Sequence, residues 1–289
     1  MATIKKIIVP ADVPQHAQAQ FIENYTAITR DTGRLFLFAG DQKIEHMNKE
    51  MLDPEHLFKI ASAGYIGAFA TQLGLIARYG QHYDASINYI IKLNSKTDLI
   101  APEHKDPISS QLWSIDNVVE FKKNSGLAIR GVGYTVYLGS EHEQSMLHEA
   151  AQIVYQAHQH GLITILWMYP RGKAVLNEKD AKTIAGAAGI APCLGADFAK
   201  INAPITNNQK KAELLTMAVN AAGNTKLICS GGKPLEAQEF LKELHEQLSL
   251  GGVAGCATGR NIYQRPLEDA IAMTKSIAEL VYTTKNRDA

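Results

Sequence analysis

Leu162-Ile163-Thr164-Ile165-Leu166-Trp167-Met168 is an almost unbroken apolar run, closed by Tyr169-Pro170-Arg171-Gly172. It is continuous rather than alternating, as expected of a parallel strand covered on both faces. Residues 141–160 precede it, with Met146, Leu147, Ala150, Ile153, Val154 and Ala157 spaced for one face of a helix. Gly161 stands between the two, where a helix should end. An alanine-rich helical pattern follows over residues 178–194.

Working outward, the same unit recurs: a short apolar run, a turn, then a helical pattern. The runs are residues 35–39, 66–70, 87–93, 128–136, 162–168, 197–201, 226–229 and 253–257. Further helices are expected over 207–222, capped within the polar stretch 206–208; over 235–248, opened by Pro234; and over 266–282. Gly195, Gly223 and Gly251-Gly252 mark further helix ends. Eight strand–helix units in about 250 residues predict an α/β fold of the (β/α)8 TIM-barrel class. The competing architecture is an open doubly wound sheet, but no GxGxxG opens the first unit. Residues 31–289 are thus read as a single barrel catalytic domain. Residues 1–30 are an N-terminal extension, expected to pack as a helix or cap under the barrel.

The chain has 289 residues, 46% of them hydrophobic and 20% charged, with 29 basic and 29 acidic residues. That length supports one sizeable core. The balanced charge argues against nucleic-acid binding and against polybasic attachment to a membrane. No stretch approaches the roughly 18 apolar residues of a membrane span. The opening apolar run, Ile7-Ile8-Val9, is too short for the core of a signal peptide. Three cysteines, Cys193, Cys229 and Cys256, form no CxxC pair and make a poor disulfide framework. A cytoplasmic location is expected.

A barrel of this class carries its active site at the C-terminal strand ends. Lys200 lies among Phe198, Ala199 and Ile201 on the sixth run. Burying an ammonium there is costly, and a buried lysine shifts toward the neutral amine that attacks carbonyls. The competing reading is a lysine that snorkels out of the strand end into a salt bridge. Ser230-Gly231-Gly232 and Gly259-Arg260 follow the seventh and eighth runs, where barrels often bind phosphate. The glycines admit backbone N–H groups, and the arginine supplies a bidentate charge. Tyr169 is a candidate acid/base, or else a rim tyrosine. Asp41 is a ligand for a hydroxyl, or a capping residue. His46 is a substrate ligand or a surface histidine, and Trp167 a pocket wall or core filler. The ten histidines form no HExxH or other tight ligand pair, so neither a metal nor another cofactor is expected.

The ordered set of strand ends resembles the archaeal-type class I fructose-bisphosphate aldolases. The matching elements are Asp41 with Ile44-Glu45-His46, Lys92-Leu93-Asn94-x-Lys96-Thr97 and Gly133-Tyr134-Thr135-Val136-Tyr137-x-Gly139-Ser140. Trp167-x-Tyr169-Pro170-Arg171-Gly172, Gly195-Ala196-Asp197-x-x-Lys200, Ser230-Gly231-Gly232 and Gly259-Arg260-Asn261 complete it. The resemblance implies a Schiff base on Lys200, acid/base work by Tyr169, and Asp41 contacting the intermediate. His46 and Trp167 would line the same site. Ser230, Gly231, Gly232, Gly259 and Arg260 would bind the phosphate of the ketose end; the charge and loop position of Arg171, rather than the resemblance, suggest it for the phosphate of the aldehyde end. The resemblance also implies a small phosphorylated sugar as substrate and a homo-oligomer. Two departures stand out: Gln42-Lys43 where the family usually reads His-Gly, and Ser95 in place of a usual glycine. Lys43 thereby adds a cation beside the expected pocket, and with it a possible change of substrate. Another Schiff-base carbon–carbon lyase or transferase, acting on a different phosphorylated ketose or a diketone, is the alternative.

Overall fold

The computed structural model describes residues 7–45, 53–83, 86–97, 106–205 and 211–284. Eight parallel strands close into a barrel in chain order. They are β1 (Leu35–Ala39), β2 (Ala68–Thr71), β3 (Tyr89–Lys92), β4 (Ile129–Leu138), β5 (Ile163–Pro170), β6 (Phe198–Ile201), β7 (Lys226–Ser230) and β8 (Gly255–Thr258). The principal outer helices are α3 (Pro54–Ser62), α4 (Leu73–Tyr79), α5 (Ile115–Ser125), α6 (Glu143–Gln159), α7 (Ala181–Cys193), α8 (Lys211–Ala222), α9 (Ala237–Ser249) and α11 (Leu267–Thr283). Three shorter or leading helices complete the set: α1 (Gln18–Thr29), α2 (Gln42–Glu45) and α10 (Arg260–Tyr263).

Alternation along each strand divides the apolar residues into two cores. Phe36, Phe38, Phe69, Tyr89, Ile91, Tyr134 and Val136 pack outward against the helices. Leu35, Leu37, Ala68, Ala70, Ile90, Ile163, Ile165, Phe198, Ile228 and Ala257 fill the barrel. The inner core continues into the N-terminal segment through Val13, Ala17, Phe21 and Ile28. Tyr25 of α1 stacks on Phe198, with ring centroids 5.6 Å apart. Helix α1 therefore plugs the end of the barrel at which the strands begin, leaving the opposite end for chemistry.

Two expectations about elements need correction. Pro234 does not open α9: the helix starts at Ala237 with Glu236 as its N-cap. Pro234 instead lies in a loop pinned by the bond from the Leu235 N–H to Asn261 Oδ1, 2.8 Å. Strands β4 and β5 run past their expected ends, pairing continuously from Gly131 with Ile163 to Leu138 with Pro170. The polar residues Thr135, Tyr137 and Tyr169 interrupt the apolar pattern there without interrupting the ladder. Gly161, Gly195 and Gly223 end helices at positive φ, as expected. The expected cap at 206–208 lies outside the described residues.

Candidate active site

Lys200 is in phase with Phe198, an inner-core residue, and therefore faces into the barrel. It is 3% exposed, at the level of Ile228 on one neighbouring strand and Trp167 on the other. Its Nζ stands 5.2 Å from the centre of the Trp167 ring. The snorkelling alternative does not describe this side chain.

A second lysine, unmarked as a site residue by sequence reasoning, shares the interior. Lys92, at the end of β3, is 1% exposed. Its Nζ donates to Asn94 O (3.1 Å), Asn94 Oδ1 (2.8 Å) and Thr135 Oγ1 (2.7 Å). It also lies 5.0 Å from the Trp167 ring. Space for that indole comes from Gly133: a Cβ there would sit 2.4 Å from Trp167 Cζ3 and 3.4 Å from Lys92 Cδ. The signal for Lys92 was the one that marked Lys200, a lysine ending a run of isoleucines.

Tyr169 is paired in register with Tyr137 and packs against both cores, at the rim of the barrel. The Arg171 guanidinium lies 5.6 Å from the Tyr169 ring and 5.8 Å from that of Tyr137. Arg171 Nε also donates to both carboxylate oxygens of Glu178, each at 3.3 Å. Burial opposes its charge, but Glu178 and the two tyrosines outweigh that and raise its pKa.

Asp41, directly after β1, is 4% exposed, and its Oδ1 has no hydrogen-bond partner among the described residues. Trp167 Nε1 is likewise buried without one. Two unsatisfied polar atoms in a buried site are a place for a polar ligand. Gln42 has a structural use: Tyr263 OH donates to its Oε1, 2.7 Å, joining the β1 and β8 ends. Lys43 follows it in α2. His46 lies outside the described residues.

The loops after β7 and β8 are laced together. Asn261 Nδ2 donates to Gly231 O (2.7 Å) and Lys233 O (3.1 Å), and Arg260 Nη2 to Gly232 O (2.8 Å). Ser230 Oγ donates to Asn202 Oδ1, 2.7 Å, tying in the β6 end. Gly231 and Gly259 are required by close approach: a Cβ would sit 2.1 Å from Thr258 Oγ1 and 2.3 Å from Ala39 O respectively. Gly232 takes φ +66. Short helix α10 starts immediately after Gly259, the arrangement in which barrels of this class bind phosphate.

The description "DeoC/LacD family aldolase" matches residues 35–265, from the first strand to the end of this lacing. The chain belongs to the DeoC/LacD aldolase family. Among relatives, it is 51% identical over 291 residues to the fructose-bisphosphate aldolase/6-deoxy-5-ketofructose 1-phosphate synthase of Methanocaldococcus jannaschii, covering 98% of this chain and 92% of that protein. Among solved structures, it superposes on a fructose-bisphosphate aldolase from Slackia heliotrinireducens with a TM-score of 0.94 at 50% identity, covering 99% and 93%. An archaeal fructose-1,6-bisphosphate aldolase, with its catalytic lysine covalently bound to the carbinolamine intermediate of the substrate, matches at TM-score 0.77 and 32% identity, covering 91% and 99%. The chain is thus a (β/α)8 member of a family that includes class I fructose-bisphosphate aldolases.

Proposed function

We propose that this DeoC/LacD aldolase reversibly cleaves fructose 1,6-bisphosphate to dihydroxyacetone phosphate and glyceraldehyde 3-phosphate through a Schiff base on Lys200. The observation that carries the reading is the burial of Lys200 on the inner face of β6, against the Trp167 ring. The three N–H bonds of Lys92 are all directed at acceptors, which suits an ammonium and leaves no lone pair. Lys200 faces into the barrel beside the Trp167 ring, and its burial favours the neutral form that attacks carbonyls.

The electron accounting is as follows. The Lys200 lone pair adds to the C2 carbonyl, and the resulting carbinolamine loses water with a proton from Tyr169 to give a cationic iminium. The Tyr169 phenolate then takes the C4 hydroxyl proton. The C3–C4 pair moves into the iminium, and the aldehyde leaves from an enamine. Tyr169 returns its proton to C3, and water at C2 releases the ketone and the free amine. The iminium supplies the electron sink that a metal ion would otherwise provide. Arg171, over the Tyr169 ring, favours the phenolate that two of these steps require. Asp41 receives substrate hydroxyls, and Ser230, Gly231, Gly232, Gly259 and Arg260 hold the ketose-end phosphate. Lys43 and His46 are proposed as further substrate ligands. The reading carries with it a cytoplasmic, homo-oligomeric enzyme.

Borohydride added with dihydroxyacetone phosphate is expected to leave a reduced adduct on Lys200, read by peptide mass spectrometry. Lys200→Met should abolish both adduct and turnover with the fold kept. An adduct on Lys92 instead, or a half-active Lys200→Met enzyme, would refute the assignment.

A second reading is favoured by the Methanocaldococcus relative, whose name includes a synthase. The same enamine can add to an acceptor aldehyde instead of taking a proton. Forming 6-deoxy-5-ketofructose 1-phosphate would require a keto-aldehyde without a phosphate. The pairing of Arg171 with Glu178 favours such an acceptor, because it offsets part of the charge expected to hold a second phosphate. Supplying a three-carbon keto-aldehyde together with fructose 1,6-bisphosphate should yield a monophosphorylated six-carbon diketose. Release of only triose phosphates would leave simple cleavage.

A further inference from the structure

Lys92 has no part in the proposed covalent steps, yet its amine is held by three hydrogen bonds in the barrel interior. Its stem crosses the position opposite Gly133, and its Nζ is fixed by Asn94 and Thr135. Asn94 is itself fixed, donating to Ser109 O (2.7 Å) and Thr135 O (2.9 Å) and accepting from the Thr135 N–H (2.8 Å). A cation sequestered this thoroughly is retained against its desolvation cost. Both lysine nitrogens lie against one indole, so they stand within about 10 Å of each other in a dry interior, where like charges are weakly screened. Among the described residues, titratable groups on the strands and strand ends include Tyr169 on β5, Asp41 after β1, and the buried thiols Cys229 on β7 and Cys256 on β8. Burial raises both thiols, and Lys200 partly offsets the rise at Cys256.

We propose that Lys92 is a positioning residue, a permanent cation that fixes the Trp167 indole and, by repulsion through the dry interior, keeps Lys200 in the neutral form that attacks the substrate. The inference rests on the Schiff-base reading of Lys200. A field of this kind weakens proton binding at its neighbour without touching substrate.

The test is the pH dependence of adduct formation on Lys200 with dihydroxyacetone phosphate and cyanoborohydride. Three variants are compared with wild type: Lys92→Met and Lys92→Gln, which remove the charge, and Lys92→Arg, which keeps it. In the neutral variants the midpoint is expected to rise by about one pH unit, so that trapping falls about tenfold at neutral pH and recovers in alkali. Lys92→Arg should restore the wild-type midpoint. Lys92→Gln keeps an N–H donor for Asn94 and Thr135 and serves if Lys92→Met fails to fold. A loss that is equal at every pH, or an unmoved midpoint in a folded neutral variant, overturns the proposal and leaves the Schiff base standing. Absence of any Lys200 adduct in the wild type at every pH defeats the Schiff-base reading itself.

Discussion

At the scale of single residues, the proposed site depends on a void as much as on its proposed nucleophile. Gly133 supplies the room in which the Trp167 ring lies within reach of both lysine amines. Gly133→Ala sets a methyl group 2.4 Å from the indole, with rigid strand on both sides. Overpacking of this kind costs about 1–3 kcal/mol. The indole must turn, and a displacement near 1 Å at a reacting group lowers rate about a hundredfold. The expected outcome is a folded protein with shifted tryptophan emission and about hundredfold slower trapping on Lys200. Unchanged emission and trapping would show that the ring has other room. Lys200 was legible in sequence because a lysine inside an apolar strand contradicts its surroundings. Lys92 carried the same contradiction, but it stood out only once its three acceptors were seen. The pairing of Gly133 with Trp167 was not legible, because it joins residues on neighbouring strands through a register that periodicity does not reveal.

At the scale of elements, the eight apolar runs located every strand to within a few residues, because burial on both faces leaves a continuous signature. The boundaries failed where polar residues belong to the site. The inward Thr135, Tyr137 and Tyr169 end the apolar pattern but not the pairing of β4 with β5. The loops after β7 and β8 were legible as glycine-rich turns, whereas their coupling was not. That coupling runs through Asn261, 2% exposed, which accepts from Leu235 N–H and donates to Gly231 O and Lys233 O. Asn261→Ala strands these backbone groups, at a cost of about 1–3 kcal/mol. If the loops hold the ketose-end phosphate, part of that loss appears in binding. We expect KM for fructose 1,6-bisphosphate to rise about tenfold, equivalent to about 1.4 kcal/mol, with kcat changed less. Steady-state kinetics read the split. An equal fall in kcat at unchanged KM would place the phosphate elsewhere.

At the scale of the whole molecule, the two ends of the barrel have separate tasks, and the plugged end carries a pH dependence of its own. His158 of α6 is wholly buried between Asp12 of the N-terminal segment (2.9 Å) and Asp197 before β6 (3.2 Å). The same Asp197 oxygen accepts from Thr164 N–H and Oγ1, at 2.8 and 2.9 Å. Burial alone would lower the imidazole pKa, but hydrogen bonding and attraction from Asp197 and then Asp12 exceed it, so the net shift is upward. Nearby Tyr25 is pushed up to about 12 by burial and by Asp197, and so stays neutral across the range that matters. A raised folded-state pKa means that the stabilisation is fully present below the unfolded value of about 6.5. It is lost as pH rises through the higher folded value. Tm should therefore decline between pH 6 and pH 9. His158→Gln removes the charge from a buried pair, and breaking such a pair costs roughly 3 kcal/mol or more. For a chain of this size that is roughly five degrees of Tm at pH 6, with a much flatter profile above it. Adduct formation on Lys200, at the other end of the barrel, should survive in this variant at temperatures where it is folded. Calorimetry across the pH series decides the matter: a wild-type Tm that stays level from pH 6 to 9 would mean that the charged imidazole does not hold the N-terminal plug in place.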